Sequence, residues 1–274
     1  MINVGFIDYY LDEWHANNYP AMLQKASGGE LAVTLAYGQI ASPITGMTSD
    51  EWCAKHGIAK AASVEELVGK SDAVIVLSPD NCEMHEGLCQ LPLRSGKPCY
   101  VDKTFAPDYP TARRIFDIAE KSGTPCYSTS ALRFASEYQV EPGSVRSIRS
   151  WGPNGFETYG IHQLEPIMMM IQSKPQKVMY MPGEGCYSLL IVFEGGRQAV
   201  MTGFEAGSPF MMSLDGRVVT AESDYFGGFM AELAHFLKTG EVAVPHEQTL
   251  SIMAVRGAAV EAMKRPFEFT AVSF

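Results

Sequence analysis

Several features are scarce in this chain, and each absence narrows what it can be. No run of Lys and Arg occurs anywhere, and the formal net charge of the 274 residues is −10. A polyanion is held by clustered cations that replace its counterions, so a nucleic-acid partner is not expected. No apolar run approaches the roughly 20 residues that cross a bilayer, so a membrane partner is not expected either. The six cysteines (Cys53, Cys82, Cys89, Cys99, Cys126 and Cys186) include no C-x-x-C pair. That spacing offers neither a zinc site nor a redox dithiol, and no metal is expected. The opening MINVGFIDYY has no basic leader and no apolar h-region. The expectation is therefore a cytoplasmic chain with free thiols.

What is present is the patterning of a soluble α/β protein, with 46% hydrophobic and 19% charged residues. The runs INVGFI (2–7), ELAVTLAY (30–37), AVIVL (73–77), PCYV (98–101) and PCYS (125–128) are apolar throughout, as strands covered on both faces are. Helix-like stretches lie between them. In 110–122, Ile115, Ile118 and Ala119 share a face and Gly123 supplies a stop. This alternation predicts a Rossmann-like parallel sheet over 1–125, with ligands at the carboxyl ends of its strands.

From about 126 the pattern changes. VRSIRSW (145–151), KVMYMP (177–182), YSLLIVFE (187–194), RQAVMTGF (197–204) and FMMSLDG (210–216) read as strands, with Gly195-Gly196 as a hairpin turn. Two amphipathic helices follow, one carrying Phe226, Phe229, Met230, Leu233, Ala234 and Leu237, the other over roughly 247–264. The prediction for 126–274 is an α+β domain with a mostly antiparallel, open sheet. Its strands are rich in Met and Phe, so a homo-oligomer through that sheet is expected.

Three stretches then carry a family resemblance. LSPDNCEMHEGLCQLPLRSGKPCYVDKTFAP (77–107) has a strand, a Pro-containing loop, a helix with an early His, and a strand ending in an acidic-Lys triplet. STSALRFA (128–135) places Arg133 before an aromatic, and TYGIHQLEP (158–166) places a His at a helix start. Their order and spacing are similar to those of the Gfo/Idh/MocA oxidoreductases. The resemblance covers most of the first domain and the first third of the second.

The resemblance implies a nicotinamide cofactor, NAD or NADP, and a small-molecule substrate such as a sugar or polyol. It implies that Lys103 stands beside the reacting hydroxyl and that His162 is the general acid/base. Hydride loss from an alcohol carbon is matched by proton loss from its oxygen, which a His accepts near neutral pH while a cation steadies the alkoxide. The cofactor would lie along Asp8, Tyr9, Tyr10, Ser78, Pro79 and Asp102. The substrate would meet Arg133, Glu157, Thr158 and His15.

The departures from the family pattern are concentrated at the cofactor. Its Gly-x-Gly-x-x-Gly/Ala falls on Asp8, Tyr10 and Glu13, so each glycine that lets a pyrophosphate approach the backbone is replaced. Pro20 fits a first helical turn better than a helix interior, which predicts a first helix starting late, near Asn18. The second strand ends in Ala36-Tyr37-Gly38-Gln39, with no acid for ribose hydroxyls and no Arg for a 2′-phosphate. Thr104 replaces a proline after Lys103, Thr158 stands where an Asp is expected beside Glu157, and Glu165 replaces an Asp. On its own, Lys103 reads as a solvated lysine at a strand end, and the resemblance moves it to a site. His85 reads as structural, bonded to a neighbouring loop; Met168-Met169-Met170 reads as core; Arg133 reads equally as an ion-pair partner. Tyr9 and Tyr10 read as pocket fillers or substrate contacts. Two alternatives stay open beside the oxidoreductase: a cofactor-free binding or partner subunit, and a non-redox lyase using the same acid/base pair.

Overall fold

The computed structural model describes residues 1–274, which divide into two compact units. The first holds Met1–Ala106, Thr111–Ser128 and Met230–Pro245; the second holds Pro107–Pro110, Thr129–Phe229 and His246–Phe274.

The first unit is built on β1 (Ile2–Asp8), β2 (Leu31–Gly38), β3 (Ala59–Lys60), β4 (Ala73–Val76), β5 (Cys99–Val101) and β6 (Cys126–Tyr127). All are parallel, in the order β3-β2-β1-β4-β5-β6. Between them run α1 (Trp14–Ala26), α2 (Ser49–His56), α3 (Val64–Lys70), α4 (His85–Leu88) and α5 (Tyr109–Ser122). β4 and β5 are buried along their whole length, which explains their unbroken apolar sequence. Gly5 is needed for packing: a Cβ there would lie 2.4 Å from Leu67 Cδ2 and 2.5 Å from Ser71 Oγ, so α3 sits close on β1. The strand order reverses between β1 and β4, and the loops leaving these strands, at Asp8 and Leu77, flank the place where ligands of such sheets bind.

The late start expected for α1 is not what the fold adopts. The helix begins at Trp14 and carries Pro20 in its interior. Pro20 removes one backbone N–H from the ladder, but the start of the helix is fixed by Glu13, whose side chain caps it.

The second unit contains β7 (Ser147–Pro153), α6 (Phe156–Ile171), β8 (Pro175–Gly183), β9 (Cys186–Phe193), β10 (Gln198–Phe204), β11 (Met211–Leu214) and β12 (Arg217–Thr220). Helix α7 (Tyr225–Thr239) begins in the second unit and ends in the first, and α8 (His246–Met263) and β13 (Phe269–Ala271) complete the second. The sheet order is β12-β11-β7-β10-β9-β8-β13. Every neighbouring pair is antiparallel except β7 and β10. Alternate residues of β9 (Tyr187, Leu189, Ile191 and Phe193) are buried, while Ser188, Leu190 and Val192 on the other face are half-buried. Helix α6 packs on β7 and β10, and α8 on β8 and β13. Gly195 and Gly196, at φ 70° and 75°, turn β9 into β10. The edge strands β12 and β13 and the two-residue β3 were not visible in the sequence pattern. No helix is long and apolar enough to cross a membrane.

Candidate active site

The loop from β1 to α1 is a fixed piece of structure. Its backbone is tied to the segment after β2 by Gln39 N–H donating to Asp8 O (3.1 Å) and Ile40 N–H to Tyr9 O (2.9 Å). Tyr10 and Leu11 are buried. Asp12 accepts from Thr45 Oγ1 at 2.6 Å and from Asn17 Nδ2 at 3.2 Å. Asn17 Oδ1 in turn accepts from Trp52 Nε1 at 2.8 Å.

Glu13 is the next residue, and its carboxylate turns onto the first turn of α1. It accepts from the backbone N–H of His15 at 2.7 Å and from that of Ala16, and Oε2 lies 2.8 Å from His15 Nδ1. His15 Nε2 in turn lies 3.7 Å from Asp102 Oδ2. His15 therefore lies between the helix cap and the end of β5, where Asp102 Oδ1 accepts from Tyr100 OH at 3.1 Å. Asp8 is 1% exposed, and neither of its carboxylate oxygens has a well-aligned partner. Burial, and then the charge of Glu13, hold its pKa well above the ordinary carboxylate value, against the pull of the Tyr9 and Tyr10 amides. Tyr19 and Tyr100 are likewise pushed up, by burial first and by the Asp102 charge next.

Lys103 follows Asp102 and is 8% exposed. Its ammonium has no hydrogen-bond or ion-pair partner, and the Lys103–Thr104 peptide is cis. The side chain is mostly buried, while the ammonium at its end keeps contact with solvent. In the loop after β4, Ser78 takes φ 75° and donates from Oγ to Asn81 O at 3.1 Å, and Pro79 is buried beside it. His85 lies between two carbonyls, Nδ1 3.0 Å from Phe105 O and Nε2 2.5 Å from Leu77 O. Its burial keeps the pKa below the usual histidine value, so the neutral ring donates to one of the two carbonyls at a time.

In the second unit, His162 on α6 is half-buried, with Nδ1 2.7 Å from Ser130 Oγ and its ring edge-on to Tyr159 and Phe210. Glu157 and Thr158 are exposed on the first turn of the same helix. Arg133 is paired with Glu165, Nε to Oε2 at 2.8 Å, and donates from Nη1 to Gln248 at 2.9 Å, which leaves Nη2 without a partner. Glu165 also accepts from Thr129 Oγ1 at 3.3 Å; burial raises its pKa and Arg133 pulls it back.

Of the residues named from sequence, the first unit gathers Asp8, His15 and Asp102 with Glu13, and the second gathers His162 with Ser130 and Arg133 with Glu165. Ser130 had a signal in the quoted STSALRFA stretch. Glu13 as a cap had none, because Ser, Thr, Asp and Asn are the usual N-cap residues.

A dinucleotide fits poorly on these residues. A pyrophosphate binds the N–H groups opening the helix after β1. Here Glu13 takes up two of them, and the second acid, Asp8, stands beside it. A cleft of about 420 Å³ at the end of β2, lined by residues such as Tyr37, Gln39, Met84 and Leu88, contains no Lys or Arg for a 2′-phosphate.

The architecture is nonetheless that of the inositol dehydrogenases and NAD-binding oxidoreductases of the Gfo/Idh/MocA type, matched over the full length at low identity. The apo scyllo-inositol dehydrogenase of Lactobacillus casei matches with 13% identity and a TM-score of 0.79, over 99% of this chain and 98% of that one. GenD2 from gentamicin A biosynthesis, in complex with NAD, matches with 11% identity and a TM-score of 0.79, over 100% of this chain and 97% of its own. An NAD-binding oxidoreductase of Klebsiella pneumoniae matches with 13% identity and a TM-score of 0.73, over 100% and 99%. No family model and no curated protein matches the sequence.

Proposed function

We propose that this chain is an enzyme acting on a sugar, polyol or related small molecule, with His162 as the acid/base of the second unit and Lys103 as the cation that the first unit offers to a substrate oxygen. The observation that carries this reading is Lys103 itself, a lysine with a mostly buried stem and an ammonium outside any ion pair, just past the carboxyl end of a parallel-sheet strand. Ser130 supports the His162 role by holding the ring through Nδ1.

In its redox form this is an NAD- or NADP-dependent oxidoreductase, which the dehydrogenase folds of the similar structures favour. A second reading, a non-redox lyase using the same pair, is favoured by Glu13 at the head of α1. The test is a panel of inositols and hexoses, followed with NAD(P) by absorbance and without it by proton NMR of the substrate. Lys103→Met and His162→Ala should each lower turnover by roughly 10² to 10⁴-fold. The double variant should be little worse than the poorer single one if both act on one substrate. Unchanged turnover in either single variant refutes the pair.

We also propose a homo-oligomer through the second sheet, whose half-buried face carries Trp151, Met179, Leu190 and Val200. A monomer by light scattering at micromolar concentration would count against it.

A further inference from the structure

We infer that Glu13 is the specificity residue that keeps dinucleotides out of the first unit, its carboxylate standing where a pyrophosphate would be received. The inference rests on this unit alone and, of the two readings of Lys103 and His162 above, is compatible with the non-redox one.

A helix after the first strand of a parallel sheet attracts a phosphate because its opening N–H groups have no partner within the helix and carry the positive end of the helix dipole. In α1 two of these groups, the N–H groups of His15 and Ala16, already donate to the Glu13 carboxylate, and the N–H of Asn17 begins the helix ladder on the Glu13 carbonyl at 3.0 Å. An internal anion at zero dilution competes with any phosphate for the same donors.

The loop cannot easily move aside to release them. Leu11 is 2% exposed and packs at the end of β2, where a Cβ added to Gly38 would lie 3.2 Å from Leu11 Cγ. Asp12 on one side of Glu13 is bonded to Thr45 and Asn17, and His15 on the other is bonded to Glu13 itself. The charge points the same way. Residues 8–19 contain Asp8, Asp12 and Glu13 and no Lys or Arg, so the loop itself sets acids and no cation against a diphosphate.

The experiment uses the full chain, wild type and Glu13→Ser. Serine keeps a helix cap while vacating the carboxylate position. Inorganic pyrophosphate binding is read by thermal shift and NADH binding by its fluorescence, with circular dichroism as the check of fold. The wild type should show no saturable binding of either, and Glu13→Ser should bind pyrophosphate at least tenfold tighter than the wild type. Saturable NADH binding by the wild type overturns the inference. So does a folded Glu13→Ser that gains no pyrophosphate affinity. If Glu13→Ser does not fold, Glu13→Gly, which an N-cap tolerates and which frees both N–H groups, is read by the same two outcomes.

Discussion

Replacing Arg133 by Met should weaken the second unit by an amount that grows with pH. Glu165 is 2% exposed and meets the Arg133 guanidinium at 2.8 Å, with Thr129 as a further donor. Breaking one half of a buried ion pair typically costs about 3–5 kcal/mol, because the other charge is left buried and uncompensated. The carboxyl can escape part of that cost by binding a proton. Burial already raises its pKa above the ordinary 4.5, and Arg133 is the opposing influence. Without Arg133 the folded-state pKa climbs further. A carboxyl whose pKa is higher folded than unfolded binds more protons in the folded state between the two values. Its contribution to stability is therefore present below the unfolded pKa and lost as pH rises through the folded one. The deficit of Arg133→Met should be smallest near pH 4 and should widen towards neutral pH by up to about 1.4 kcal/mol per unit. At neutral pH, a cost of about 3–5 kcal/mol lowers the melting temperature by roughly 6–20 °C for a chain of this size. The assay is thermal melting by circular dichroism across that pH range, with Glu165→Gln in the Arg133→Met background as the control, which should recover most of the loss. A deficit below about 1 kcal/mol, or one that does not vary with pH, would refute the reasoning and return Arg133 to a role in ligand binding.

Asp8→Asn should remove a pH-dependent weakness of the first unit. Asp8 has a raised folded pKa from burial and Glu13, so its contribution falls as pH rises above 3.8, and each unit of elevation is worth about 1.4 kcal/mol. Urea unfolding should find the variant gaining on the wild type from acid to neutral pH, and a constant difference would count against the orphaned carboxyl. Glu137 has the opposite sign: the Ser223 hydroxyl, at 2.6 Å, and nearby amides hold its pKa at about 2. Its contribution is present above 4.5 and is lost as pH falls through about 2. The site is open to solvent, so Glu137→Gln should cost less than about 1 kcal/mol at neutral pH. Amide exchange should quicken at Glu222 and Ser223, whose N–H groups bond Glu137; unchanged exchange would show that the contact carries no weight.

The sequence by itself determined the two kinds of sheet, because strand burial writes itself into local apolar patterning. Unbroken apolar runs marked the parallel strands, longer strand runs after residue 126 marked the second sheet, and Gly195-Gly196 marked the turn that needs positive φ. It also showed that the glycines of a phosphate loop are replaced at Asp8, Tyr10 and Glu13. The tertiary structure alone decided what those residues do instead. Pro20 argued locally for a late helix, yet the side chain of Glu13 starts α1 at Trp14. The parallel pairing of β7 with β10, and the return of residues 230–245 to the first unit, have no local signature. Arg133 finds its partners 32 and 115 residues away, and His15 finds Asp102 across the sheet. Periodicity is a property of neighbours along the chain, whereas burial of a charge and the identity of its partner depend on which distant segments the fold brings against it.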